Sequence, residues 1–125
     1  MPRVADNARV ILVTAPDVDV ARRIARRVLD ERRAACVNLL PGVTSLYWWE
    51  GKIDEQAEAL LIIKTMANQV SAIIDTIKQD HPYEVPEIIA LPIVEGDETY
   101  LNWLSGALHQ HEKPSSPVNR TKEHE

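Results

Sequence analysis

One proline-rich segment brings together an imidazole and several carboxylates. Asp80, His81, Tyr83, Glu84 and Glu87 lie close together in the sequence. An imidazole among carboxylates suits a borderline divalent ion such as copper or zinc. The chain has no His-x₃-His or Cys-x₂-Cys spacing, so the alternative is that His81 caps the preceding helix by bonding its last carbonyl groups.

The single cysteine, Cys36, lies between Ala35 and Val37 in an apolar segment. A thiol in such a strand is typically buried and inert, since a reactive thiolate needs a nearby positive charge or base. One cysteine cannot form an intramolecular disulfide. The sequence therefore predicts a protein of the reducing cytoplasm.

Aromatic residues cluster at Tyr47, Trp48 and Trp49. Adjacent strand residues point to opposite faces, so the two tryptophans cannot enter one core. We expect one of them to pack on a neighbouring subunit or to line a cleft. Lys64, near the end of an apolar strand, either anchors an anion or extends its ammonium group to solvent.

Six arginines, with Arg26 among them, lie between residues 22 and 33. Acidic residues alternate with them and permit i,i+4 pairs such as Arg26 with Asp30. The formal net charge is −5, and no aromatic residues interleave with the arginines. We therefore expect a solvated helix face and no nucleic-acid partner.

The elements that position these residues begin with an apolar strand over residues 8–15, ended by Pro16. Asp17 is the expected N-cap of a first helix. The apolar stripe of that helix is formed by Ala21, Ile24, Ala25, Val28 and Leu29. Residues 34–65 form a long hairpin with a bulge at Pro41-Gly42 and a turn at Glu50-Gly51-Lys52.

The second half of the chain continues the pattern. A second helix, capped by Asn68 or Ser71, has an apolar face formed by Val70, Ile73, Ile74 and Ile77. An extended loop covers residues 81–87, and a strand follows over residues 87–94, where Pro92 indicates an edge or bulged position. Asp97 caps a last helix.

The order β-α-β-β-α-β-α predicts an α+β fold, a ferredoxin-like split βαβ with two helices on one face of a four-stranded antiparallel sheet. The strands are apolar on both faces, so we expect other copies of the chain to cover the second face. The 125 residues fit one domain, predicted over 9–111 after a short lead at 1–8. Residues 112–125 are predicted to be a disordered tail, and no segment resembles a membrane span.

Several strings resemble the CutA divalent-cation tolerance family. They are Val13-Thr-Ala-Pro16, Ala34-Ala-Cys-Val-Asn38, Pro41-Gly-Val-Thr-Ser-Leu-Tyr-Trp-Trp-Glu-Gly-Lys52, Lys64-Thr65, His81-Pro-Tyr-Glu-Val-Pro-Glu-Ile88 and Tyr100-Leu-Asn-Trp-Leu104. The likeness runs from residue 9 to residue 108. It implies a tight homotrimer, similar in architecture to the PII signalling proteins, and a role in copper and other divalent-metal tolerance.

The resemblance also implies metal ligands. Its histidine pair before Pro-Tyr corresponds to Asp80 and His81, and its glutamate to Glu87. Its first-strand cysteine corresponds to Val13. Losing that thiolate and one imidazole weakens Cu(I) binding most.

The main hypothesis is a non-enzymatic, cytoplasmic homotrimer that binds copper or another divalent metal through His81, Glu87 and Asp80. The alternative is a PII-like sensor that binds a small anionic metabolite in clefts between subunits, using Lys64, Tyr83 and Trp49. A third hypothesis is a stable assembly unit that binds neither.

Overall fold

A computed structural model describes residues 3–109. The chain forms the predicted order of strands and helices: β1 (Ala8–Ala15), α1 (Val18–Asp30), β2 (Cys36–Trp49), β3 (Lys52–Met66), α2 (Val70–Asp80), β4 (Ile88–Pro92) and α3 (Glu98–Leu108). Short 3-10 turns at Val4–Asn7 and Ala67–Gln69 precede β1 and α2. The predicted tail at 112–125 lies outside the described residues.

The four strands form one antiparallel sheet in the order β2-β3-β1-β4. This is the ferredoxin-like arrangement that the element order predicts. β4 lies at an edge and ends at Pro92, where a residue without an N–H donor is tolerated. The edge position predicted from Pro92 is confirmed.

The main core lies between one face of the sheet and helices α1 and α2. Ile11, Val13, Leu61 and Ile63 of the sheet are fully buried in this cluster. The helices contribute Ala21, Ile24, Val28, Ile73 and Ile77. Leu29, predicted to belong to the apolar stripe, is instead 37% exposed, whereas its neighbour Val28 is fully buried. Leu29 therefore lies at the margin of the stripe.

Two of the predicted helix caps are confirmed. The Asp17 carboxylate accepts a hydrogen bond from the backbone N–H of Val20 at 2.8 Å, and Asp97 accepts one from Tyr100 at 2.9 Å. The predicted cap of α2 by Asn68 or Ser71 is wrong. The N-cap is Gln69, whose backbone is already helical after the 3-10 turn, so no extended residue is present to aim a capping side chain.

The long hairpin of β2 and β3 contains both predicted irregularities. Its register shifts between Leu40 and Val43, next to Gly42 at φ +72°. At the tip, Glu50 and Gly51 both have positive φ, 49° and 77°, as a type I′ turn requires. β3 starts at Lys52, directly after the turn, so apart from the register shift the hairpin is paired from Cys36 to Trp49.

The second face of the sheet is only partly covered. α3 packs at one end of it, where Leu101 and Leu104 meet Ala8 and Met66. Farther along the strands, Leu40, Ile89 and Leu91 remain exposed. No helix within residues 3–109 is long and apolar enough to cross a membrane.

Candidate functional site: an acidic aromatic cleft

His81 is held between the loop after α2 and the end of β1. Its Nε2 lies 2.7 Å from the carbonyl oxygen of Thr14, and its Nδ1 accepts a hydrogen bond from the backbone N–H of Tyr83 at 3.1 Å. Nδ1 is therefore unprotonated and Nε2 donates, by assignment from this network. Because both ring nitrogens are bonded and the residue is buried, neither nitrogen is free to bind a metal in this arrangement.

The interpretation of His81 as the cap of the preceding helix is confirmed for its backbone, whereas the ring has a different role. The last turn of α2 is capped by the backbone N–H of His81, which bonds the carbonyl of Ile77 at 2.8 Å, and not by the ring. The ring instead fastens the loop to β1. It has a structural role that the sequence pattern did not distinguish from a ligand or a cap.

The three predicted metal ligands do not converge. The Asp80 carboxylate pairs with Arg27 of α1 at 2.8 Å. Glu87 is exposed in the segment between α2 and β4. Within residues 3–109, no group of three or more His, Cys, Asp and Glu side chains is placed to hold a metal ion. Within one subunit the predicted set of His81, Glu87 and Asp80 is therefore not assembled, because His81 and Asp80 each bond to other protein groups; as a metal site it stays a prediction.

Arg27 also pairs with Glu31 at 3.0 Å, and Glu31 pairs with Arg33 at 3.2 Å. The hydrogen bond from Arg27 is the main cause that lowers the pKa of Glu31 below its usual range. The predicted pair of Arg26 with Asp30 does not form. The ion pairs instead run along the side of α1 that faces α2.

A cleft of about 720 Å³ lies between the hairpin tip and the loop at 81–87. Carboxylates and aromatic rings dominate its lining. The full lining is Thr14, Ser45, Leu46, Tyr47, Trp48, Trp49, Asp54, Glu58, Tyr83, Glu84, Val85 and Glu87. It therefore includes Glu87, Tyr83 and Trp49 from the predicted sites but neither a lysine nor an arginine.

Both tryptophans of the hairpin tip line this cleft. They are 73% and 57% exposed in the subunit, so neither Trp48 nor Trp49 enters a core. The two side chains alternate across the strand, although both residues contribute to the lining of the cleft.

Glu58 is the most deeply placed acid of the cleft. The residue is only 7% exposed, and its Oε2 accepts a hydrogen bond from the Tyr83 hydroxyl at 3.1 Å. Within the described part of the chain, no lysine, arginine or histidine forms an ion pair with it. A cation that enters the cleft therefore meets Glu58 without competition from a charged partner on the described chain.

Two tyrosines beside these carboxylates, Tyr47 and Tyr83, have raised pKa values. Burial, followed by the hydrogen bond to Glu58 and the charge of Glu58, raises the pKa of Tyr83 to about 12. Burial and the charges of Asp54 and Glu58 raise the pKa of Tyr47, whose hydroxyl lies 3.4 Å from Asp54. Both hydroxyl groups therefore remain protonated donors at neutral pH.

Lys64 is not part of the cleft. Its ammonium group donates to the side chain of Asn38, and its strand position pairs with Cys36. The predicted anion site of Lys64, Tyr83 and Trp49 is thus divided between two regions. Within one subunit the cleft therefore lacks the cation expected for an anionic metabolite, and the site predicted between subunits stays a prediction.

Cys36 is partly buried and forms no disulfide. It faces Tyr100, whose pKa is raised to about 12 by burial first and by the neighbouring thiol second. Cys36 therefore lies beside Tyr100 and opposite Lys64 in the sheet, and its expected inertness stays a prediction.

Glu58 and Asp54 are functional candidates that the sequence interpretation missed. Both lie on β3 at positions four apart, which alternate onto the same face of a strand. The sequence did contain one signal for Glu58, because this carboxylate directly precedes the apolar run from Ala59 to Ile63. It had no visible partner in sequence, because Tyr83 approaches from a distant loop.

Fold and cleft together define a ferredoxin-like α+β protein with an acidic, aromatic binding cleft. A family model described as CutA1 divalent ion tolerance protein matches residues 9–107. The divalent-cation tolerance protein CutA of Yersinia pestis (strain Pestoides F) is 49% identical over 102 residues, which cover 82% of this chain and 86% of that protein.

Solved structures agree with this assignment. CutA1 from Oryza sativa superposes with a TM-score of 0.80 at 44% identity, covering 83% of this chain and 95% of that one. The periplasmic divalent cation tolerance protein CutA from Archaeoglobus fulgidus gives a TM-score of 0.78 at 39% identity, covering 81% and 98%. The chain belongs to the CutA1 divalent ion tolerance family.

Proposed function

We propose that this chain serves divalent-cation tolerance by binding divalent cations in the acidic cleft, without catalysing a reaction. The observation that carries the proposal is Glu58, a 7% exposed carboxylate with no cationic partner among the described residues. Asp54, Glu84 and Glu87 add carboxylates around it. A divalent cation supplies the charge that this arrangement lacks.

The chemistry of the donors decides which cations fit. Carboxylate oxygens suit hard ions such as Mg²⁺, Ca²⁺ and Mn²⁺, whereas Cu(I) prefers thiolates and thioethers. His81 has no free ring nitrogen and Val13 carries no donor, so these two positions do not supply the soft ligands that Cu(I) prefers. Since no three ligands converge within a subunit, water or a second subunit completes the coordination.

The proposal includes assembly as a homotrimer. Leu40, Ile89 and Leu91 on the second sheet face are exposed, as are Leu46, Trp48, Trp49 and Ile53 at the hairpin tip. Exposed large apolar side chains in such number are typical of a protein–protein interface. Three copies are what the family resemblance implies, and the cleft then lies beside a contact between subunits.

A cytoplasmic location is part of the same proposal. It is supported by the single unpaired Cys36, since reduced thiols are the rule in that compartment. The Archaeoglobus fulgidus relative is described as periplasmic, so cell fractionation with an antibody to the native chain is the direct test.

Titration calorimetry of the full chain with Mn²⁺ and with Cu²⁺ tests the cation site. We expect Mn²⁺ to bind, and Glu58→Gln to weaken its binding by about tenfold, the effect of removing one charge-assisted ligand. Glu55→Gln is the matched control, because Glu55 is an exposed carboxylate of β3 that does not line the cleft. Equal Mn²⁺ affinity in both variants, or none in the wild type, contradicts the proposal.

A further inference from the structure

Helix α1 is followed by a residue whose backbone lies in the left-handed region. Arg32 has φ 59°, and its backbone N–H bonds the carbonyl of Leu29 at 3.0 Å. The next N–H, that of Arg33, bonds the carbonyl of Val28 at 3.0 Å. These two bonds form a Schellman motif, in which glycine is the usual residue at the left-handed position. Because a side chain strains the backbone there, glycine would end α1 more favourably than arginine does.

The side chain of Arg32 joins the end of α1 to the end of α3. Its Nη1 donates to the carbonyl oxygen of Ala107, in the last turn of α3, at 2.9 Å and in a partly buried position. The two residues are 75 positions apart in the sequence. The two helices pack on opposite faces of the sheet, so this bond passes from one layer of the fold to the other.

α3 has few groups of its own that stabilise its C-terminal end. Its last turn contains no lysine or arginine, and Gly106 within that turn favours the unfolded chain. The ring Nδ1 of His109 donates to the carbonyl of Ser105, and the backbone N–H of His109 bonds that of Gly106. The carbonyl of Ala107 is bonded by Arg32, whose positive charge also complements the negative end of the helix dipole.

α3 packs separately from the main core. Leu101 and Leu104 belong to a small cluster at one end of the second sheet face, whereas α1 and α2 share the larger cluster on the first face. The indole Nε1 of Trp103 is buried with no hydrogen-bond partner in the described part of the chain. A small buried area and an unsatisfied donor are both typical of a segment that opens locally.

We propose that α3 is a detachable strap, a helix that leaves the sheet while the rest of the chain stays folded, and that Arg32 is the clasp that holds it closed. The bond from Arg32 to Ala107 determines how rarely the strap opens. The strained backbone of Arg32 fits this role, since glycine would relax the end of α1 but leave α3 without its donor.

Opening of the strap changes the surface of the subunit. It uncovers Ala8 and Met66, which α3 covers in the closed state, and so adds apolar area to the side on which assembly is proposed. The strap itself is independent of the proposed cation binding, because neither Arg32 nor α3 lines the acidic cleft.

Hydrogen exchange of the full chain in its native assembly, followed by mass spectrometry of peptic fragments, tests the strap. In the wild type, the amides of α3 should exchange before those of β1 and β3. Their exchange should also depend less on urea, because opening of one helix exposes less surface than global unfolding. If α3 exchanges only together with the sheet and with the same urea dependence, the proposal is overturned.

Substitution of Arg32 tests the clasp. Arg32→Gly relaxes the backbone and removes the donor, so α3 should exchange about tenfold faster, the effect of losing one charge-assisted hydrogen bond, while α1 and the sheet exchange no faster than in the wild type. Arg32→Lys keeps a positive charge at this position and should restore part of the protection. Arg22→Ala is the matched control, because Arg22 is an exposed arginine of α1, and it should leave α3 unchanged.

The variants can contradict the clasp in different ways. If α3 exchanges at the wild-type rate in Arg32→Gly, the bond to Ala107 does not hold the helix. If α1, α2 and the sheet become faster to the same extent as α3, Arg32 supports the whole fold and α3 is not a separate unit. If Arg32→Lys exchanges as fast as Arg32→Gly, the positive charge has no part in holding α3 and the clasp is overturned.

Discussion

At the scale of single residues, the structural role belongs to His81 and the candidate binding role belongs to Glu58, the reverse of what their residue types suggest. The imidazole, the better transition-metal ligand in general, uses both nitrogens to fix a loop. The carboxylate, which the sequence places at the end of an apolar run, is buried beside Tyr83 without a positive neighbour in the described chain. The chemistry of the cleft therefore depends on Glu58, and His81 contributes by holding Tyr83 in position.

Burial of Tyr83, together with its hydrogen bond to Glu58, makes stability depend on pH in the alkaline range. The pKa of Tyr83 is raised to about 12 in the folded chain, against about 10 when unfolded. A group with a raised folded pKa stabilises fully below its unfolded pKa, and the contribution is lost as pH rises from 10 towards 12. Urea unfolding at about pH 8 and about pH 11 should show a larger loss of stability for the wild type than for Tyr83→Phe.

The same bond has a spectroscopic test. Glu58→Gln removes the acceptor charge and should move the ionisation of Tyr83 to lower pH in an ultraviolet titration of the phenol. Tyr100 provides the internal control, since burial and Cys36 raise its pKa and Glu58 does not. An unchanged titration in Glu58→Gln would show that burial alone sets the pKa of Tyr83.

At the scale of elements, the end of each helix is defined by a short local interaction. The carboxylate of Asp97 satisfies the N–H of Tyr100 in the first turn of α3. Asp97→Ala removes this acceptor and should reduce the free energy of unfolding by about 1 kcal/mol. The urea midpoint at fixed protein concentration measures the change.

Glu95→Ala is the matched control for that substitution. Glu95 lies two residues earlier in the same exposed loop, and its change should stay within about 0.5 kcal/mol. If both variants lose the same stability, the cap is not what positions α3.

The strands and helices could be predicted from the sequence, whereas one helix cap and part of the cleft could not. Periodicity, Pro16, Gly51 and the caps at Asp17 and Asp97 gave the strand and helix order, because each is a local signal within a few residues. The α2 cap failed because a 3-10 turn made Gln69 helical before the expected capping residue. The cleft was only half predicted, since Tyr83 reaches Glu58 from the loop after α2, a contact that sequence spacing does not reveal.

At the scale of the whole molecule, the sheet has two unlike faces. One is sealed by α1 and α2 around Ile11, Val13, Leu61 and Ile63. The other is covered only near its end by α3. The cleft opens beside this second face and beside the exposed hairpin tip, so assembly and ligand binding share one side of the subunit.

A single added charge on each side of the molecule tests that arrangement. Leu91 of β4 is 43% exposed on the open side, and Leu29 of α1 is 37% exposed on the opposite, helical side. In the proposed trimer, Leu91→Lys places an unpaired ammonium group in a dry interface, which is strongly unfavourable. Leu29→Lys places the same group in water.

Sedimentation equilibrium distinguishes the two variants. We expect the wild type and Leu29→Lys to have three times the 14.1 kDa subunit mass, and Leu91→Lys to dissociate while keeping the circular dichroism of a folded α+β chain. Because the cleft lies beside the same interface, the dissociated variant should also bind Mn²⁺ more weakly. A trimeric Leu91→Lys would place the assembly contact elsewhere on the subunit, and a monomeric wild type would leave the apolar face of the sheet without the partner that its composition requires.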